Sequence, residues 1–315
     1  MARLIDQVQG HGEVWERLRR ASREQRLPHA LVFSGPSGVG KRQVAWALAQ
    51  ALLCERVGES PCGECGPCLR VANKSSEGVL LVEPAGNNIK LEAATAVLDF
   101  LSLQRVSRAR VVIVEQAQLL NPQTGNALLK VIEEPPPESH FILLVSEISQ
   151  LLPTLRSRVQ NVRFSPLNDD VLKRAHASHE WMVRAARGSF SQLEALNSPE
   201  VAELRQLAVD FLTDAGQDLR RSLEKTVLET KERESALQFA RLMQQILRDW
   251  TVLEGGGDVL NVDLKDRLSG LPKVDARSRA ELWRQAFQVE MDLLAHVDRA
   301  LVLENFFYRA RQALR

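Results

Sequence analysis

Residues Leu27 to Ala51 read LPHALVFSGPSGVGKRQVAWALAQA, and this stretch decides the fold. Ala30 to Ser34 is a short apolar run, with Val32 and Phe33, of the length of a buried strand. Gly35-Pro36-Ser37-Gly38-Val39-Gly40-Lys41 follows, then a helical pattern with Val44, Ala45, Leu48 and Ala49 on one face. Strand, glycine loop and helix in this order form the setting of a phosphate-binding P-loop. The glycines let successive N–H groups turn in around an anion, with the positive end of a helix behind them. Lys41 is placed to reach outer phosphates as a point charge. A plain glycine-rich turn is the alternative; spacing and flanks together favour the P-loop.

One letter departs from the pattern. The residue after the lysine should carry a hydroxyl, because that oxygen ligates Mg²⁺. Here it is Arg42, whose guanidinium has no acceptor lone pair. The phosphate cradle is intact while its metal site is spoiled, and this conflict governs the functional reading.

At 315 residues the chain has room for two or three domains. A composition 44% hydrophobic but only 5% aromatic, rich in leucine and alanine, favours helical architecture. A net charge of +1 gives no global field for autonomous nucleic-acid binding. Residues 1–51 are locally basic, a bias that suits phosphate but more often marks a solvated helix face. No apolar run reaches transmembrane length, and Met1 to Gln9 has no signal core. The expectation is a cytoplasmic chain with reduced thiols and no membrane partner.

All four cysteines fall together, at Cys54, Cys62, Cys65 and Cys68. Thiolates at this spacing can close a tetrahedron around Zn²⁺, with Gly58, Pro61, Gly63, Gly66 and Pro67 supplying the turns. Disulfides fit a reducing compartment poorly, and chance clustering fits poorly when no cysteine lies elsewhere. Four protein ligands leave no open position, so the site reads as structural.

Further along, Val14 to Gln25 reads as an amphipathic helix, Val79 to Val82 as a strand, and Leu91 to Leu103 as a helix. Val111 to Val114 is a buried strand ending in Glu115-Gln116. In P-loop ATPases this strand carries an acid for the metal shell and a second group that acts on the attacking water. Glu115 can fill the first role, whereas Gln116 cannot accept a proton. Asn121 caps a helix that opens with Pro122, contains NALLKVIEE and stops at Pro135-Pro136-Pro137. A strand at Phe141 to Ser146, the segment LLPTLRSR ending at Arg158, and a short strand Val162 to Phe164 follow. Residues 199–315 read as helices broken at Gly255-Gly256-Gly257 and near Gly270, the last running from Arg279 to Ala313.

P-loop, four-cysteine knuckle, NALLKVIEEPP and LLPTLRSR, in this order, resemble the clamp-loader branch of the AAA+ ATPases. The motifs cover the chain to about residue 190, and the remainder matches by length and helical class. The resemblance implies an α/β fold: a RecA-like P-loop AAA+ domain at 1–165 with a zinc knuckle at 54–68. A small helical lid at 166–198 and an all-α collar at 199–315, where subunits join into a ring, would complete it. It implies ATP-driven loading of a sliding clamp on primed DNA. The implied partners are motor and wrench-like ring subunits, the clamp, and primer-template DNA through the ring. Motor subunits of the family carry Gly-Ser-x-Arg in the lid, where this chain has Gly188-Ser189-Phe190-Ser191. Their sites are finished by a Ser-Arg-Cys element from a neighbour, kept here as Ser157-Arg158-Val159.

Two readings follow. In the first, the chain is a non-hydrolysing stator whose Arg158, with Ser157, acts on a neighbour's ATP. In the second, it is a working motor of the same ring. The motor lacks its hydroxyl at Arg42, its acid at Gln116 and its arginine at Ser191, three losses hard to reconcile with turnover. A nucleotide kinase finds no support beyond the loop. Whether ATP or ADP is held by Gly35, Pro36, Ser37, Gly38, Val39, Gly40, Lys41, Arg42 and Glu115 stays open at this level.

Overall fold

A computed structural model describes residues 3–104, 107–175, 179–214, 223–224, 226–227 and 229–313. The expected helical lid and collar include residues 176–178, 215–222, 225, 228 and 314–315, which lie outside the described residues. The chain divides into one unit of residues 1–171 with 188–191, and a second of residues 172–187 with 192–315.

The first unit is built on five parallel strands, β1 (Ala30–Ser34), β2 (Val79–Val82), β3 (Arg110–Val114), β4 (Ser139–Val145) and β5 (Gln160–Arg163), in the order β2-β3-β4-β1-β5. The runs of β1, β3 and β4 are near-continuously apolar because both faces are covered, whereas β5, at the sheet edge, buries only Val162. Leu31 and Phe33 face a core formed with α1 (Gly12–Arg23) and α2 (Lys41–Leu53). Ala30 and Val32 face the opposite core, with Val97 of α4 (Leu91–Ser102) and Leu128 and Ile132 of α5 (Pro122–Glu133). The short helix α3 (Gly66–Ala72) carries the last cysteine, and α6 (Pro153–Arg156) precedes Arg158. Ligands of open parallel sheets gather at the carboxyl ends of the strands. The P-loop after β1, Glu83 after β2 and Glu115 after β3 all lie at those ends.

The second unit, as described, is helical. Helices Pro199–Asp214, Arg233–Glu254, Ala276–Leu294 and Arg299–Ala313 bury Phe211, Phe239, Trp250 and Phe307. The Phe211 and Phe307 rings lie 4.2 Å apart. Asp249 is fully buried and holds the chain beyond the triple glycine, accepting from the N–H groups of Leu260 (3.0 Å) and Asn261 (2.6 Å). The final helix expected from Arg279 to Ala313 is in fact two helices. His296 takes a left-handed φ of 63°, which ends the first, and Asp298 caps the second by accepting from Leu301 N–H at 3.0 Å. Among the described residues no helix is long and apolar enough to cross a membrane.

Candidate functional site

The loop expected to cradle phosphate has the backbone for it. Gly38 and Gly40 take left-handed φ values of 75° and 104°, which only glycine adopts without strain. Gly35 lies so close to the strand leading out of β5 that a Cβ would stand 2.2 Å from the Phe164 carbonyl oxygen. Pro36 and Ser37 are exposed, while Val39 is buried and its carbonyl is bonded to His11 Nε2 at 2.7 Å. Burial lowers the His11 pKa, with the nearby Lys41 charge acting in the same direction.

The groups that should meet phosphate are engaged with protein. Lys41 Nζ donates to the carbonyl oxygens of Gly35 and, at 2.6 Å, Pro36. Burial pulls its pKa down to about 8. Gly188–Ser191 lies against the loop: Phe190 N–H donates to the Gly38 carbonyl at 2.8 Å. A Cβ on Gly38 would stand 2.0 Å from Ser191 Oγ and 2.2 Å from Ser189 Oγ. Ser189 and Ser191 thus pack directly against Gly38.

Arg42 lies directly against Glu115. Its Nε lies 2.6 Å from Glu115 Oε1, its Nη1 donates to Glu115 Oε2 at 3.2 Å, and its Nη2 donates to Glu83 Oε1 at 3.2 Å. The carboxylate that would hold a metal shell is thus committed to a guanidinium. Burial raises the Glu115 pKa, and the Arg42 charge opposes that rise. Gln116, directly after it, has a left-handed φ of 46° and turns the chain away. The magnesium-nucleotide set is incomplete: Arg42 replaces the hydroxyl, and Lys41 and Glu115 keep their places but are paired with protein groups.

The four cysteines do come together. Their sulfurs all lie within 4.8 Å of one another. Tetrahedral zinc with bonds of about 2.3 Å needs sulfurs roughly 3.8 Å apart, and Cys62 and Cys68 are at 3.9 Å. Cys65 N–H points at Cys62 Sγ at 3.4 Å. For Cys62, burial opposes ionisation, but backbone N–H groups of Glu64 and Cys65 carry the pKa down to about 6. Burial pushes Cys54 and Cys68 up. No disulfide joins them. The cluster is fixed to α2 by Gln50 Nε2 donating to the Cys68 carbonyl at 2.9 Å. This donor set fits a tetrahedral thiophilic ion and offers no open ligand position.

Arg158 is exposed just beyond α6. Its Nε pairs with Glu133, and its Nη1 donates to Thr154 O at 3.0 Å and Ser157 Oγ at 2.9 Å. The string PQTGNALLKVIE explains the placement. Asn121 Oδ1 caps α5 by accepting from Thr124 N–H at 2.7 Å, and buried Thr124 donates to the Ile89 carbonyl at 3.1 Å. Gly125 lets α6 approach: a Cβ there would stand 2.3 Å from Leu152. Glu83 has no part in the sequence reading of the site, and Glu133 and Ser189 enter it only inside quoted strings, without a role. Glu83 carried a readable signal, since it follows β2 as Glu115 follows β3.

With this geometry in hand, comparisons with known proteins narrow the family. Residues 10–168 match the family described as "DNA polymerase III, delta subunit". The chain is 30% identical over 161 residues to DNA polymerase III subunit delta′ of Bacillus subtilis, covering 51% of this chain and 49% of that one. It is 35% identical over 162 residues to subunit delta′ of Pseudomonas aeruginosa, covering 50% and 47%. Subunit tau of Bacillus subtilis is 30% identical over 170 residues, covering 53% and 30%. The chain thus spans about half the length of the curated delta′ relatives it matches. In fold it is similar to a gamma subunit-related protein of Thermotoga maritima, with a TM-score of 0.58 at 17% identity, covering 96% of this chain and 99% of that one. The chain belongs to the DNA polymerase III delta-subunit family, as a subunit of the delta′ or clamp-loader type.

Proposed function

We propose that this chain is the delta′-like stator of a clamp loader: it does not hydrolyse ATP itself and lends Arg158 to a neighbouring ATPase subunit. One observation carries the reading. Both residues that define a working P-loop, Lys41 and the one after it, are committed to the protein's own acceptors. A gamma/tau-like motor, the alternative, needs those groups free for nucleotide and metal. Arg158 needs no such release from a core. Its side chain is 39% exposed and its partner Glu133 43%, so the pair holds it weakly. A planar guanidinium from this edge can share the charge of a departing phosphoryl group.

In this reading gamma/tau-like and delta-like subunits are the ring partners, and the sliding clamp and primer-template DNA are met through the assembled ring. The zinc knuckle braces the α/β domain, and the C-terminal helices serve as the collar. The test is a ring assembled with Arg158→Ala. DNA-dependent ATPase and clamp loading should both fall, clamp loading more, with lysine a poor substitute. Wild-type values for both, in a ring shown to contain the variant, refute the proposal.

A further inference from the structure

The Arg42 cluster has a positive role that the loss of catalysis does not explain. In a P-loop the residue after the lysine gives a hydroxyl to Mg²⁺, and an acid from a neighbouring strand completes the metal's shell. Here the same two places are joined directly. Arg42, on the first turn of α2, lies against Glu115 at the end of β3 and also reaches Glu83 at the end of β2. The Glu115 side chain is only 14% exposed, so it needs a cation beside it. Its Oε1 lies within contact of Arg42 yet receives no aligned donor, which leaves it as the oxygen a metal would use.

We propose that Arg42 is a resident counter-ion in the place of the divalent metal, so that this loop is completed by the chain's own cation and takes no metal ion. A guanidinium stays charged at every accessible pH and cannot dissociate as a bound ion does. It ties the start of α2 to the ends of β2 and β3 without nucleotide or magnesium, as long as Glu83 and Glu115 are ionised. The inference rests on the loop being non-hydrolytic, as argued above, but not on any role of Arg158.

The test uses Mn²⁺, counted by electron paramagnetic resonance, on the full chain with its cysteines kept zinc-loaded. The wild-type chain should hold no Mn²⁺ that depends on Glu115, and Mg²⁺ should not raise its thermal midpoint, with or without ATP. Arg42→Thr should bind one Mn²⁺ per chain, and Arg42→Thr with Glu115→Gln should bind none. In zinc-replete buffer without added Mn²⁺ or Mg²⁺ the thermal midpoint of Arg42→Thr should fall by roughly 2–4 °C and be regained on adding either ion. Glu115-dependent Mn²⁺ in the wild type, a midpoint that Mg²⁺·ATP raises above ATP alone, or an Arg42→Thr chain that folds but takes no metal would each overturn the proposal. If Arg42→Thr does not fold, the wild-type arms alone decide it. None of these readings involves the ring, so their failure is separate from failure of the Arg158 assignment.

Discussion

Gly38→Ala tests whether the phosphate cradle is closed by this chain's own residues. Two costs add. The left-handed φ of 75° is penalised by about 1–2 kcal/mol for any residue with a Cβ. The new methyl would also stand 2.0 Å from Ser191 Oγ and 2.2 Å from Ser189 Oγ, more than 1 Å inside ordinary contact. Overpacking of this kind costs about 1–3 kcal/mol. The sum is about 2–5 kcal/mol, read as a shift of the urea midpoint at constant slope. The two parts separate in a mutant cycle. In a Ser189→Ala, Ser191→Ala background the nearest oxygens are gone and the next atom, Ser191 Cβ, is at 3.0 Å. Gly38→Ala should then cost little more than its backbone strain, a coupling of at least about 1 kcal/mol. If the cost of Gly38→Ala is the same in both backgrounds, Ser189 and Ser191 do not close the loop and the cradle is open.

Three more outcomes follow from the same geometry. Protein purified without added metal should contain close to one zinc per chain, and its removal should lower the thermal midpoint; metal-free protein with an unchanged midpoint counts against the knuckle. The Lys41 amine should titrate near pH 8 by site-resolved NMR. Its folded pKa lies below the ordinary 10.5, so the unfolded chain holds more protons between those values and its contribution to stability should rise with pH across that window. An unshifted titration near 10.5 would show the ammonium is not buried as described. Trp283, Phe287, Met291 and Leu294 form an exposed stripe at helical spacing on the helix Ala276–Leu294. Trp283→Ser with Phe287→Ser should leave the monomer folded but weaken ring assembly, measured by mass photometry; unchanged assembly would remove that face from the interface.

The elements positioned by local chemistry were readable in the sequence. Val79–Val82 occupies the residues its pattern marks, and Asn121-Pro122 starts α5 as cap and first residue. The cysteine spacing brings its four sulfurs together within one short stretch of chain. What escaped notice depends on contacts across the chain. Arg42 signals a lost hydroxyl, but its pairing with Glu83 and Glu115 spans 41 and 73 residues. Ser191 signals a lost arginine, but nothing local says that its hydroxyl faces Gly38. The break at His296 was hidden because Val297 and Ala300 keep the apolar rhythm through the turn, although Val297 is 39% exposed.

In the proposed role of Arg158, its exposed pairing with Glu133 would act as a weak return spring. Glu133 is the last residue of α5, and Glu134 follows it at the cap. Both carboxylates thus sit at the negative end of a helix of 12 residues, about 18 Å long. Negative charge there is unfavourable by about 0.3–1 kcal/mol per group, and Arg158 offsets it while docked. Whatever draws the arginine outward exposes that repulsion, and the repulsion pulls the arginine back once the attraction ends. In that role the resting position would be held by Glu133, Thr154 and Ser157 of this chain, with Glu133 the charged partner. Glu133→Gln removes most of the pull, so its arginine should linger outward, and a slower reset after each hydrolysis event is the kinetic mark to look for.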